Sequence, residues 1–460
     1  MNFNLLDAKW IPVLYGDGTF RRVGIVAALE DAGLIRTIAA SNPMDHVAVL
    51  RFLVAVVYWC KGAPADGAES VTGRGIPSGW LARLRDNREL FELFGGPPRF
   101  FQDATARRER TVTDLLHEIP TGHNFWHLRH AIDGEAGLCP ACCALGLLRL
   151  PLFSVSGIQG FLRGINGKPP IYVHPIKETL LATVLANWKP CDNIGIPCWE
   201  LPQTSSDADS PVALLTGLTM LSRRVKLHDP KGTGRCFACA EQGRGLVMSC
   251  EFQPAGRQES IVWNDPHVVY TTTDPRATVQ APDLVKSGKF RNDRPWFDLV
   301  SQLMSDGRFG TFFAVGFATD EQKYIDVWER RIVIPAAAAE DGALVDRIAR
   351  WKKEGGRLEA RIGRRGDPGQ AEVSCVASVR PHVEAIAGCD LPALLSGGDG
   401  PWFEAAEHYR PLLRSIAKSL APGCTTARTL ARRRISRSVP DIAPVAADKK
   451  REPRKGGKKG

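Results

Sequence analysis

The pattern of apolar and polar positions predicts a mixed fold. An apolar run from Trp10 to Tyr15, the turn Gly16-Asp17-Gly18, and a second run from Phe20 to Val23 read as a β-hairpin. Asn42-Pro43 opens a helix, with Asn42 as its N-cap, Pro43 in the first position and Asp45 in the first turn. Val47, Leu50, Leu53, Val54, Val57 and Tyr58 then recur at helical spacing, so this is a core helix. An amphipathic helix is predicted from Trp80 to Leu93, stopped by Gly95-Gly96-Pro97-Pro98. Short apolar runs between glycine and proline clusters follow, with strands predicted at 171–173, 246–252 and 260–263 and a helix at 179–188. From about Pro335 the periodicity is helical. Leu344, Ile348 and Trp351 share a face, residues 373–387 form another helix candidate, and Trp402, Ala406, Tyr409, Leu413, Ile416 and Leu420 line one side of 401–420. With 426–438 these predict a bundle of about four helices.

The fold class is therefore α+β: a mixed α/β recognition domain over 1–334, a C-terminal helical bundle over 335–440, and a basic disordered tail over 441–460. Of 460 residues, 44% are hydrophobic and 24% charged, a globular balance. The longest apolar stretch, 46–60, is interrupted by Arg51 and falls short of the ~20 residues of a membrane span. Asp7 and Lys9 break up the N-terminus before a signal-peptide core. A soluble, cytoplasmic protein without an export signal is expected.

Charge changes this picture only locally. Residues 425–460 carry twelve Lys and Arg against three acids, so +9 of the net +10 lies in the tail. Such a tail raises non-specific affinity for polyanions, or is a solvated end. A specific nucleic-acid site in the body must come from local arrangement.

Twelve cysteines in a long chain without a leader fit reduced thiols in a cytoplasm. Cys139-Pro-Ala-Cys142 and Cys236-Phe-Ala-Cys239 are two C-x2-C pairs, with 93 residues between them. Each pair is the half-site of a tetrahedral zinc centre; four thiolates would make it structural and leave no open position for catalysis. Ordinary buried thiols and redox chemistry are the other readings. Cys143, Cys250 and His228 could substitute as ligands.

An ordered run of short motifs carries a family likeness: Asn4-Leu5-Leu6, Trp10-Ile11-Pro12-Val13, Pro98-Arg99-Phe100-Phe101-Gln102, 115–122, Cys139 to Cys142, Gly157 to Gly164, Leu218 to Arg224, Asp265-Pro266-His267, Asp293-Arg294-Pro295-Trp296 and 316–331. The sequence resembles the large subunit (CasA) of the type I-E CRISPR surveillance complex, Cascade. The resemblance implies a non-catalytic subunit of an RNA-guided complex that recognises a short duplex motif (the PAM) beside its target through the minor groove. It implies that the subunit starts duplex unwinding and supports recruitment of a helicase-nuclease. Its implied partners are the guide RNA (crRNA), double-stranded target DNA, and the backbone, 5′-handle-binding and small subunits, with no membrane.

The resemblance also assigns residues. The segment 156–164 corresponds to the loop that enters the minor groove, with Gly157, Gln159 and Gly160 at the PAM and Arg163 and Lys168 toward flanking phosphates. A narrow groove admits backbone where a Cβ would clash, and cations position a protein on a duplex without specifying bases. Without the resemblance these glycines read as a turn between strands. The stretch 316–324 corresponds to a hairpin that wedges open the first base pairs, with Thr319, Gln322 and Lys323 inserted. Asp320 and Glu321 depart from what phosphates favour, and a surface turn is the plainer reading. Phe125, in Asn124-Phe125-Trp126-His127, corresponds to a side chain that stacks on the guide-RNA handle, or it is a core aromatic. A second basic loop near the PAM has only Arg257 to offer.

Enzyme motifs are sparse. His117-Glu118 is not followed by the second histidine of H-E-x-x-H, no P-loop surrounds Gly167-Lys168, and G-x-S-x-G is absent. His123, His127 and His130, with the pair His228-Asp229, keep a metal-dependent nuclease as an alternative. A zinc-stapled nucleic-acid-processing factor is the other.

Overall fold

The computed structural model of the chain describes residues 2–65, 71, 73–118, 136–154, 169–201, 212–254, 263–271, 278–279, 295–320, 323–336 and 339. They fall into two units, Met1–Leu284 with Thr311–Ile332, and Val285–Gly310 with Val333–Gly460.

The N-terminal hairpin forms as the pattern requires. Strands β1 (Ile11–Tyr15) and β2 (Phe20–Val23) pair antiparallel, and β3 (Ile35–Ile38) adds to the other edge of β1. Gly18 takes the left-handed turn position at φ 84°. The short helix α1 (Ile25–Glu30) lies between β2 and β3 in the chain.

Helix α2 (Pro43–Lys61) is the centre of the first unit. The Asn42 side chain accepts from the Met44 N–H at 2.9 Å, Pro43 sits at the first position, and Gly62 ends the helix at φ 91°. Fourteen of its nineteen residues are buried, so apolar residues face every direction. The helix is long and apolar enough to cross a membrane, but 83% of its apolar window is buried within the chain. Arg51 is buried with it.

Helix α3 (Ala82–Asp86) is shorter than the predicted 80–93. Asn87 leaves helical geometry at φ −116° and ψ 42°, its side-chain amide donates to the Arg83 carbonyl, and a 3-10 turn over Arg88–Phe91 replaces the remaining turns.

Strand β4 (Arg108–Thr111) belongs to a second antiparallel sheet. Helix α4 (Pro140–Phe153) packs along α2; its contiguous apolar residues gave no clear period in the sequence. Strand β5 (Tyr172–Pro175) precedes α5 (Leu180–Asn187), which is capped by Thr179, and α6 (Leu214–Thr219) also packs on α2. Strand β6 (Arg223–Leu227), the hairpin β7 (Gly232–Arg235) with β8 (Gln242–Leu246), and β9 (Ser249–Pro254) follow. The single strand predicted over 246–252 is thus two. Val247 bridges to Leu138 between them, and β9 leaves to pair with β4 and β6. Of the strand predicted at 260–263 only Trp263 is described; it is buried outside any strand.

In the second unit, α7 (Pro295–Ser305) buries Leu299, Val300 and Leu303. Strands β10 (Gly310–Asp320) and β11 (Lys323–Ile334) fall almost wholly in the first unit. They neighbour each other in a third sheet, with β5 on the far side of β10. Apart from residues 335, 336 and 339, the predicted bundle and tail lie outside the described residues.

Candidate metal centre and nucleic-acid interface

The two cysteine pairs meet. Cys139 caps α4 and Cys142 lies in its first turn, while Cys236 and Cys239 occupy the tip of the β7–β8 hairpin. All four Sγ atoms lie within 4.8 Å of one another, and Cys139 Sγ and Cys239 Sγ are 3.8 Å apart. A tetrahedron with metal–sulfur bonds of about 2.3 Å has sulfur–sulfur edges of about 3.8 Å, so the donor set fits zinc. The Cys139 N–H donates to Cys236 Sγ at 3.3 Å, and the Phe237 N–H donates to the Gly137 carbonyl.

The sulfurs cannot all ionise unaided. Hydrogen bonds from Cys139 and Cys142 hold the Cys236 thiol well below its ordinary pKa. A bond from Cys142 favours the Cys139 thiolate, but the bond to Cys236 and burial outweigh it and push Cys139 up to about 12. Bonds to Cys139 and Cys236, with burial, push Cys142 up as well. A divalent cation would remove this conflict. Arg22 of β2 adds positive charge beside the cluster, bonded to Cys239 and paired with Glu241. Nothing in the spacing of the sequence pointed to Arg22.

The suggested substitute ligands are elsewhere. Cys143 is buried beside the cluster with its thiol toward the Leu138 carbonyl, Cys250 donates to the Thr111 carbonyl at 3.5 Å, and His228 faces Glu109 and Glu251.

The residues assigned to DNA and RNA are only partly placed. Gly157, Gln159, Gly160, Arg163, Lys168, Phe125, Gln322 and Arg257 lie outside the described residues, as do His123, His127 and His130. Thr319 is the penultimate residue of β10 and Lys323 the first of β11, two neighbouring strands, while 321–322 lie outside the described residues.

The roots of these segments are described, and they converge. The ring of His117 meets Phe153 edge-on with 6.5 Å between centroids, and Phe317 likewise at 5.7 Å. These three residues lie shortly before 119–135, 155–168 and 321–322 respectively. Glu118 is tied to the buried Arg149 of α4 at 3.3 Å, and Arg149 also reaches Asp45 of α2 at 3.4 Å. The other end of 119–135 runs into Cys139 and the metal centre. Both ring nitrogens of His117 are buried and neither is hydrogen-bonded; burial, then Arg149 and Arg223, hold the ring neutral.

The chain belongs to the CRISPR-associated protein Cse1 family, whose model matches residues 4–362. It is 30% identical over 219 residues to CasA/Cse1 of Thermus thermophilus, an alignment covering 44% of this chain and 42% of that protein. The crystal structure of Thermus thermophilus CasA has a similar fold (TM-score 0.60, 20% identity, 96% of this chain and 100% of that one). So does Cse1 of Acidimicrobium ferrooxidans (TM-score 0.62, 16% identity, 96% and 99%). A chain of a CRISPR RNA-guided surveillance complex also matches (TM-score 0.62, 17% identity, 95% and 99%).

Proposed function

We propose that this chain is the large, non-catalytic subunit of an RNA-guided CRISPR surveillance complex. It recognises the PAM of target DNA through the minor groove, begins strand separation and supports nuclease recruitment. The observation that carries this reading is the convergence of three segment roots on His117, Phe153 and Phe317, within a Cse1 fold.

In this reading the segment 155–168 presents Gly157, Gln159 and Gly160 to the groove, with Arg163 and Lys168 on flanking phosphates. The β10–β11 turn presents Thr319, Gln322 and Lys323 to the first base pairs, where unstacking costs a few kcal/mol per step. Segment 119–135 carries Phe125 to the guide-RNA handle. The ring contacts of His117 with Phe153 and Phe317 support this reading, since the residues that precede the three segments share one patch.

Cys139, Cys142, Cys236 and Cys239 would hold a structural zinc. Four thiolates would close its coordination, so it would fix where 119–135 rejoins the body. Sequence beyond the PAM would be read by guide-RNA pairing.

Co-expression with a guide RNA and the backbone, 5′-handle-binding and small subunits tests the assignment. The chain is expected to co-purify with the RNA-containing complex and to confer PAM-dependent duplex binding. Failure to join it, or chelator-sensitive DNA cleavage by the lone chain, would contradict the assignment.

A further inference from the structure

The second antiparallel sheet brings together three residues that the cysteine centre does not use. Glu109 of β4 stands directly opposite Glu251 of β9, and Glu251 opposite Lys226 of β6. His228, just beyond β6, stays on the ladder through its N–H to the Ser249 carbonyl. The alternation of the strands puts Glu109, Glu251 and His228 on the solvent-facing side, away from buried Val225, Leu227, Cys250 and Phe252.

Their geometry is that of a ligand set. His228 Nε2 is 3.4 Å from Glu109 Oε2 and 3.5 Å from Glu251 Oε1, and the three ligand atoms lie within 4.8 Å of one another. Those separations exceed an ordinary N–H···O bond. They match the edge, about 3.4 Å, of a tetrahedron whose metal–nitrogen and metal–oxygen bonds are about 2.1 Å. The imidazole is also oriented from behind: Ser249 Oγ lies 2.9 Å from Nδ1, leaving Nε2 for the site.

We propose that Glu109, His228 and Glu251 form a second divalent transition-metal site, of zinc type, with at least one position open to water or an external ligand. Lys226 is its built-in competitor, with Nζ 3.1 Å from both Glu251 oxygens. Affinity is therefore modest, and the site exchanges metal where the four-cysteine centre retains it. Occupancy would clip β4, β6 and β9 together at their outer face.

Zinc binding to the full chain, first saturated at its tight site, tests this by equilibrium dialysis with elemental analysis. A second zinc per chain is expected. His228→Ala should abolish it, Ser249→Ala should weaken it about tenfold or more, and Lys226→Met should tighten it. Cobalt substitution gives an independent signature: the second equivalent should lack the sulfur charge-transfer bands of a thiolate site. A wild-type chain with no zinc equivalent that His228→Ala removes would overturn the proposal. So would a second equivalent that survives His228→Ala with Glu109→Gln, or one unmoved by both Ser249→Ala and Lys226→Met. Because the tested equivalent is defined by its loss on His228→Ala, the outcome does not depend on the role of the cysteine centre.

Discussion

Arg51 and Asp265 are 214 residues apart in sequence, and both side chains are buried with Arg51 Nη1 2.7 Å from Asp265 Oδ1. The pair fastens the core helix α2 to the segment 263–271. Arg51 also donates to the carbonyls of Leu218 and Gly217, and Asp265 Oδ1 accepts from the His267 N–H. The charge that interrupts the apolar run of α2 is thus an internal fastening. Removing one partner strands a buried charge, so Asp265→Ala should cost about 3–5 kcal/mol. Urea unfolding checks this; a loss below about 1 kcal/mol would show that water reaches Arg51.

The four-cysteine centre predicts one tightly held zinc. Native mass spectrometry of the chain dialysed free of exchangeable metal should find one retained ion, lost together with thermal stability when Cys236 and Cys239 become Ser. A metal-free chain of equal stability would contradict the zinc assignment.

Ala240, next to Cys239, is held at φ 59°, a conformation that costs a residue bearing a Cβ about 1–2 kcal/mol. Its N–H closes the turn onto the Cys236 carbonyl at 2.9 Å. Ala240→Gly relieves that strain, partly offset by glycine's greater chain entropy. A gain of up to about 1 kcal/mol in the metal-loaded protein is expected from denaturant titration, and a loss would contradict it.

His46 and His174, like His117, set a pH dependence. Burial lowers His46 to about 4 and His174 to about 3. Their values in the unfolded chain lie near 6.5. Between those limits the unfolded chain binds more protons, so their contribution is complete above about pH 6.5 and is lost as pH falls through that window. His174→Asn should make stability fall less steeply between about pH 7 and about pH 5 than in the wild type. Parallel profiles would mean that His174 takes up its proton in the folded state.

What could be read in advance divides by the range of the interaction. Helix α2 was legible because Asn42, Pro43 and Asp45 mark its start locally, and the cysteine centre because C-x2-C encodes half of a tetrahedron on its own. The end of α3 at Asn87 was not, since a side-chain amide there replaces the next helical bond. Nor was the break at Val247, which exists only because Leu138 supplies a bridge from more than a hundred residues away. The same holds for Glu109, His228 and Glu251: strand register unites them, and no spacing records it.

The central claim is that glycine backbone in 155–168 engages the minor groove at the PAM. Its most direct test is duplex binding by the assembled complex carrying Gly160→Trp, measured with and without a PAM. PAM-dependent affinity should drop about tenfold or more, equivalent to at least about 1.4 kcal/mol, while guide-RNA assembly is unchanged. Undiminished PAM-dependent binding by that variant would contradict the account.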